Sequence, residues 1–490
     1  MTTFARAGRR PLRPRSRPRM WRAVRAHRRY KAARVDPRAL PPRGRPGAIA
    51  RLRRWLWLWW PWAAATVALA ARQHWGAAVA TGIVSTLARL VQPRSEAPRF
   101  GLDADMPVAS AEFLATMAGA TASPFLDGNS LEVLHDGDAF YPRMLDDIAG
   151  ARSSIAIEAY IYWAGAVGLA FARALAGRAA SGVRVMILLD AVGAADIGED
   201  ILGVLTKGGC HIAWYNPLRW RTLASFNNRT HRKTLVVDGA VAYTGGAGIA
   251  DHWRGQARGP GEWRDVMVRF SGPAVAGLQS GFAHNWQRST GEVVHGGACY
   301  PPPVAAGRHA LQVILSSPET GGSNVQTMYY LAIACARRTI LIANPYFVPD
   351  DVGLDLLVEA ARRGVAIRVM VSGRRNDNWL ARHNSVARYG ALLEAGIEIL
   401  EYNRSMLHHK VMVVDGRWLT VGTTNFDSRS FAHNEESNLT LVDAREAAAF
   451  TARFEDDVAA CERVDLGAWR RRGVAARLRE AAAGLFADQV

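Results

Sequence analysis

Cysteine is scarce in this chain of 490 residues. Its four cysteines, Cys210, Cys299, Cys335 and Cys461, lie far apart and never form C-x-x-C, which leaves neither a zinc knuckle nor a thiol redox pair. No glycine-rich P-loop is present, and no group of His, Asp and Glu has metal-ligand spacing. Neither a metal nor a cofactor is therefore expected. Net charge is also missing from most of the chain. The formal +18 resides in residues 1–54, where 19 Lys and Arg face one acid, Asp36; the remainder balances 42 bases with 42 acids. Nucleic-acid enzymes carry a basic patch on the folded body, so the neutral body argues against a nucleic-acid partner.

The basic tail is rich in Arg, Pro and Ala, as in "RRPLRPRSRPRMWRAVRAHRRYK", and holds seven prolines. Self-repulsion predicts disorder in isolation over 1–54. Three readings compete: a solvated tail or mis-assigned start, an organelle transit peptide, or a polybasic segment held against anionic lipid, where each basic residue contributes ~1 kcal/mol. "WLWLWWPWAAATVALAA" follows, from Trp55 to Ala71, uncharged throughout and with five Trp among its first eight residues. Trp clusters favour the bilayer interface, and this length is the short limit of a span. After Arg72, "HWGAAVATGIVSTLARL" adds a weaker apolar run. Residues 55–95 are expected to be membrane-associated, as one span or a shallow helical hairpin; the alternative is an amphipathic helix pair buried in a soluble protein. The long basic region ahead of this segment argues against a signal peptide.

The rest of the chain repeats itself. "SSIAIEAYIYW", "GLAFARALAGRAASG" and "VRVMILLDAVG" in the first half match "RTILIANPYFVPDD", "GLDLLVEAARRG" and "VAIRVMVSGRR" in the second. Each set is an apolar strand, an amphipathic helix ending at Gly and a second apolar strand, the signature of a parallel βαβ unit. "LTKGGCHIAWYN" and "LLEAGIEILEYN" repeat a helix end, a Gly turn and a strand. Then come "THRKTLVVDGAVAYTGGAGIADHW" from Thr230 and "LHHKVMVVDGRWLTVGTTNFDSRSF" from Leu407, each with Asp-Gly between apolar runs, a hairpin signal. Residues 288–308 have linker composition and divide the halves.

On a strand, residues i and i+2 share a face. His231 thus points with Lys233, and His408 with Lys410. Substitution at a phosphodiester needs a nucleophile at phosphorus, an acid for the departing alkoxide and positive neighbours for the equatorial oxygens. Two facing copies of the motif supply all three without a metal. Asp238 and Asp415, at the turns beyond the strands, lie out of reach of phosphorus and read as structural or orienting. Asp265, downstream of His231, and Glu436, downstream of His408, are better placed to fix an imidazole tautomer. Gly245 and Gly246 can bring backbone N–H groups to a phosphate; Thr423 and Asn425 add hydroxyl and amide donors. His409 alternates to the opposite strand face, and His252, His284, His383 and His433 read as surface or supporting residues.

The doubled His-x-Lys-x4-Asp pattern resembles the phospholipase D superfamily over roughly Leu131–Val464. "NPYFVPDD", "LLEAGIEILEYN", "LHHK", "TTNFDSRSF" and "EWRDVMVRFSGPAV" resemble its bacterial cardiolipin synthase branch. The resemblance implies an α/β chain of two pseudo-symmetric domains, 110–300 and 301–490, each a mixed β-sheet flanked by helices, after the tail and the membrane-associated segment. It implies phosphatidyl transfer through a phosphohistidine, with phospholipid substrates (phosphatidylglycerol foremost), at the inner cell membrane with the catalytic domains on the cytoplasmic side. The implied catalytic set is His231, Lys233, Asp238, His408, Lys410 and Asp415, supported by Asn228, Gly245, Gly246, Asp265, Thr423, Asn425, Asn434 and Glu436. Where the family places Asn two positions beyond the Gly pair, this chain has Gly248, so the first half loses a side-chain donor that Asn425 keeps. The alternative reaction is hydrolysis of phospholipid to phosphatidic acid; a nuclease-type phosphodiesterase and a non-catalytic scaffold have less support.

Overall fold

A computed structural model describes residues 58–91, 100–102, 106–218, 226–318 and 323–487. The basic tail 1–54 lies outside the described residues.

The two repeats build one sixteen-stranded mixed sheet flanked by helices. From its outer edge inward, the first half contributes three mutually parallel strands, His211–Tyr215, Arg184–Asp190 and Ser154–Ala159. Antiparallel strands Thr234–Val237, Val241–Gly245, Val266–Ser271 and Leu126–His135 follow. The second half repeats this order: Glu398–Tyr402, Ala366–Ser372 and Thr339–Ala343 are parallel; Val411–Val414, Trp418–Gly422, Asn434–Val442 and His309–Ser316 are antiparallel. Leu126–His135 pairs with His309–Ser316 and joins the halves edge to edge.

Alternation along these strands decides the packing. Ile155, Ile157, Val185, Ile187 and Leu189 face a core belonging to the first half, under helices Gly137–Gly150, Ala166–Ala180 and Glu199–Lys207. Met412 and Val414 face the equivalent core of the second half. The intervening residues, Ala156, Met186, Leu188, Val411 and Val413, share one core on the other face, covered by Val275–Thr290 and Ala444–Val458. One face of the sheet is therefore partitioned and the other continuous. That continuity holds the halves in register.

Two helices precede the sheet, Trp59–Ala71 and Trp75–Val91, joined at Arg72–His74. A bond from Thr66 Oγ1 to Thr81 Oγ1, 3.0 Å, ties them into a hairpin. No helix among the described residues is long and apolar enough to cross a membrane. The buried helix pair is not seen, since Trp75, Val79 and Ile83 are 65%, 62% and 56% exposed.

Candidate active site

Both motifs open just past the ends of the parallel strands, where open α/β sheets bind ligands. His231 precedes strand Thr234–Val237 and His408 precedes Val411–Val414. Their positions are fixed by the opposite half. The His231 amide donates to the Glu435 carbonyl at 2.9 Å, and the His408 amide to the Arg264 carbonyl at 2.7 Å. Side chains add to the latch: Arg232 meets Glu435 at 2.7 Å and Arg264 meets Asp457 at 3.0 Å, all four buried.

The carboxylates therefore cross. His231 Nδ1 lies 3.1 Å from both oxygens of Glu436, and His408 Nδ1 lies 2.8 Å from Asp265 Oδ2. Each imidazole is oriented by a carboxylate from the other half, although along the chain each carboxylate follows the histidine of its own half. All four groups are buried. Lys233 Nζ donates to the His231 carbonyl at 2.9 Å and Lys410 Nζ to the His408 carbonyl at 2.7 Å, with Lys410 also 3.0 Å from His408 Nδ1. The halves sense one another electrostatically. Burial lowers Lys233 to about 7, helped by Lys410, and burial lowers Lys410 to about 8.

Burial acts differently on the two dyads. Burial lowers His231 to about 4 against the pull of Glu436. Burial alone would raise Glu436, but His231, Lys233 and the Thr423 hydroxyl outweigh it and bring the carboxyl below its usual range. At neutral pH this dyad is a carboxylate and a neutral ring. In the other dyad, burial raises Asp265 to about 7 against Lys410 and its hydrogen bonds, while burial and Lys410 hold His408 well below its ordinary value. The Asp265 carboxyl therefore keeps its proton beside a neutral His408 ring up to about pH 7.

The supporting residues divide. Thr423 Oγ1 and Asn434 Nδ2 (3.2 Å) both donate to Glu436. Asn425 is 5% exposed, and its Oδ1 has no hydrogen-bond partner among the described residues. Gly245 and Gly246 serve close approach within the sheet. A Cβ at Gly245 would meet the Val266 carbonyl at 2.3 Å, and one at Gly246 would meet Asp265 Oδ1 at 2.1 Å. Asn228 is buried in the approach to His231, its carbonyl accepting from Asn216 Nδ2 and Arg229 Nε. At Gly248 the room for an Asn is gone, because a Cβ would lie 2.8 Å from Ile161 Cβ.

Asp238 and Asp415 take their hydrogen bonds away from the imidazoles, at the turns beyond the motif strands. Asp238 accepts from the amides of Arg152, Ser153 and Ser154, and Asp415 from those of Arg337, Arg338 and Thr339. Each carboxylate caps the start of a parallel strand. Seven residues at ~3.3 Å each separate it from its histidine along the chain.

Four aromatic residues at the site carry no motif of their own. Tyr160 presents its ring to His231 at 5.2 Å and Tyr346 to His408 at 6.4 Å. Trp253 and Trp263 each pack on His408 at 5.4 Å. Their positions inside the repeated segments "EAYIYW", "NPYFV", "ADHW" and "EWRD" were the available signal.

Against known proteins, the family described as "Cardiolipin synthase, PLD-like domain" matches residues 144–253 and 330–458. The chain is 32% identical to the cardiolipin synthase of Geobacillus kaustophilus (strain HTA426) over 357 residues, 72% of this chain and 71% of that one. It is 29% identical to the major cardiolipin synthase ClsA of Bacillus subtilis (strain 168) over 365 residues, 74% and 76% of the two chains. Among solved structures, phosphatidylserine synthase of Haemophilus influenzae Rd KW20 superposes with a TM-score of 0.56 at 14% identity, over 77% of this chain and 99% of that one, a likeness of fold.

Proposed function

The chain belongs to the phospholipase D-like family of cardiolipin synthases, and from that premise we propose that it is a phosphatidyltransferase that makes cardiolipin from two molecules of phosphatidylglycerol. The observation that carries the reading is the pair of crossed dyads, each imidazole held through Nδ1 by a carboxylate of the other half. His231, its Nδ1–H held by Glu436, has a free Nε2 lone pair and attacks the phosphorus of the first lipid. The P–O bond to glycerol breaks, and His408, backed by Asp265, gives the departing oxygen its proton. Phosphatidyl-His231 and glycerol result. A hydroxyl of the second phosphatidylglycerol then attacks the same phosphorus, its proton passes to His408, and the P–N bond breaks. Lys233, Lys410 and Asn425 hold the phosphoryl oxygens, where fixed donors in a dry site stabilise developing charge.

The two lobes, 110–300 and 301–490, supply one dyad ring each. The exposed apolar hairpin and the basic tail hold the enzyme at the inner face of the cell membrane. Removing residues 1–90 is expected to move the protein from the membrane to the soluble fraction with less effect on chemistry. An unchanged distribution would defeat that assignment. For the reaction, purified enzyme given phosphatidylglycerol should release glycerol and cardiolipin in equal amounts. Phosphatidic acid without cardiolipin would mean that water is the acceptor and would replace the transferase reading with the hydrolase one.

A further inference from the structure

Glu436 and Asp265 occupy matching places in the two halves, yet their outer donors differ. Glu436 takes its second hydrogen bond from Thr423. The position that matches Thr423 in the first half is Gly246, one residue beyond the strand-ending Gly in each repeat. A side chain there is excluded, since its Cβ would lie 2.1 Å from Asp265 Oδ1. A different donor fills the role. Trp253, fully buried, donates its indole N–H to Asp265 Oδ2 at 2.8 Å, the same oxygen that meets His408 Nδ1 at 2.8 Å. Oδ1 accepts from the Val266 amide at 2.8 Å. The residue that matches Trp253 in the second half is Ser430, whose amide donates to Asp427 Oδ1 at 2.7 Å.

We propose that Trp253 is a positioning residue for the His408 half-site: its indole N–H replaces the hydroxyl that Gly246 cannot carry and fixes the Asp265 carboxylate on His408. Packing supports the same role. Trp253 lies edge-on to His408 at 5.4 Å and to Trp263 at 4.7 Å, so indole, carboxylate and imidazole form one fixed unit. A donor to the ionised form of Asp265 favours that form and moves the shared proton toward His408. The other groups facing Asp265 are Lys410 and Lys233, which also favour its ionised form, and Tyr141, which feels its charge. Asp136 takes the Asp265 amide at 3.3 Å and pairs with Arg264.

This inference rests on the transfer reaction proposed above, and its test separates the two. In Trp253→Phe the ring remains and the donor goes. The expected result is a fall in kcat of about 10- to 100-fold, little change in KM, and a rise in the upper limb of the pH–kcat profile by about one unit as Asp265 holds its proton more tightly. Trp263→Phe thins the same wall but leaves the bond, and its upper limb should stay in place. A uniform loss in Trp253→Phe with an unmoved limb would reduce the residue to packing and overturn the proposal. A second measurement needs no turnover. With 15N-labelled tryptophan, one indole N–H of the wild-type protein should titrate near pH 7 and lose that transition in Asp265→Asn. Its absence overturns the proposal even if transfer is confirmed; its presence upholds the proposal even if the reaction differs.

Discussion

His231 sits between Glu436 and the edge of Tyr160; His408 sits between Asp265 and a wall of two tryptophans. The His-x-Lys pair is the same in both halves, and its surroundings are not. Around His231, burial would raise the carboxylate, but His231, Lys233 and the Thr423 hydroxyl draw it below its usual range; around His408 burial raises it to about 7. A duplicated scaffold has been given two environments, and two titratable pairs pushed apart are what an acid–nucleophile division of labour requires.

The sharpest way to break this comparison is to remove one ring at a time. Either His231→Ala or His408→Ala should lower cardiolipin formation by at least about 1000-fold. They should part on a phosphatidyl ester with an activated leaving group such as p-nitrophenol. His408→Ala should then still give a burst of leaving group and a stable phosphatidyl adduct, since no protonated leaving oxygen is needed; His231→Ala should give neither. Mass spectrometry of the trapped protein locates the adduct. An adduct on His408 in the His231→Ala protein would invert the assignment.

Replacing the lysines comes next. Only four of the 61 basic residues are Lys, namely Lys31, Lys207, Lys233 and Lys410, so half of the lysines stand in the motifs. An arginine-dominated chain that uses Lys at these two places is using a compact ammonium rather than a fork, and a guanidinium of fixed charge is not its equivalent. Lys233→Arg and Lys410→Arg should each cost about 100-fold in kcat/KM despite the retained charge. Near-wild-type rates in both would mean that charge alone suffices.

A smaller effect is carried by pH. In the free enzyme kcat/KM should fall below about 4, where His231 takes a proton and cannot attack, and above about 7, where the Asp265–His408 pair gives up the proton that the leaving oxygen needs. KM should also rise on the alkaline side as Lys233, at about 7, and Lys410, at about 8, shed charge. Glu436→Gln should disturb the acid limb and Asp265→Asn should abolish the alkaline one. The reverse pairing would exchange the roles of the two dyads.

How much of this was legible in the chain depends on range. The repeated strands could be read from period-2 alternation and the His-x-Lys pairs from duplication, both local signals, although the pairs lie just ahead of strands Thr234–Val237 and Val411–Val414 rather than on them. The crossing of Asp265 and Glu436 could not, because it follows from how two lobes dock through one continuous sheet, and spacing along the chain suggested the opposite partners. Gly245 and Gly246 read as a phosphate cradle; in the fold they let strand Val266–Ser271 and Asp265 come close. Trp253 was hidden for a related reason: an indole N–H matters only once the carboxylate of Asp265, just ahead of strand Val266–Ser271, lies beside it.

The motif aspartates give the finest test of the symmetry. Asp238 and Asp415 have nearly the same backbone, φ 53° and 55°, and each receives three backbone amides at the head of a parallel strand. Their difference is burial: Asp415 is buried, while Asp238 is half-buried. Asn keeps one acceptor oxygen but turns an NH2 donor toward the amide at the other, a clash that water relieves less readily where the site is buried. Asp415→Asn should therefore lower stability by about 3 kcal/mol and Asp238→Asn by about half as much. Asn is the substitution of choice because it tolerates the left-handed backbone where Ala would add strain. Urea unfolding reads the two losses, and kcat of the folded fraction should stay within about threefold of wild type in both. A catalytic collapse in either variant with stability intact would return that aspartate to the chemistry and dissolve the distinction between the residues that build this site and those that react in it.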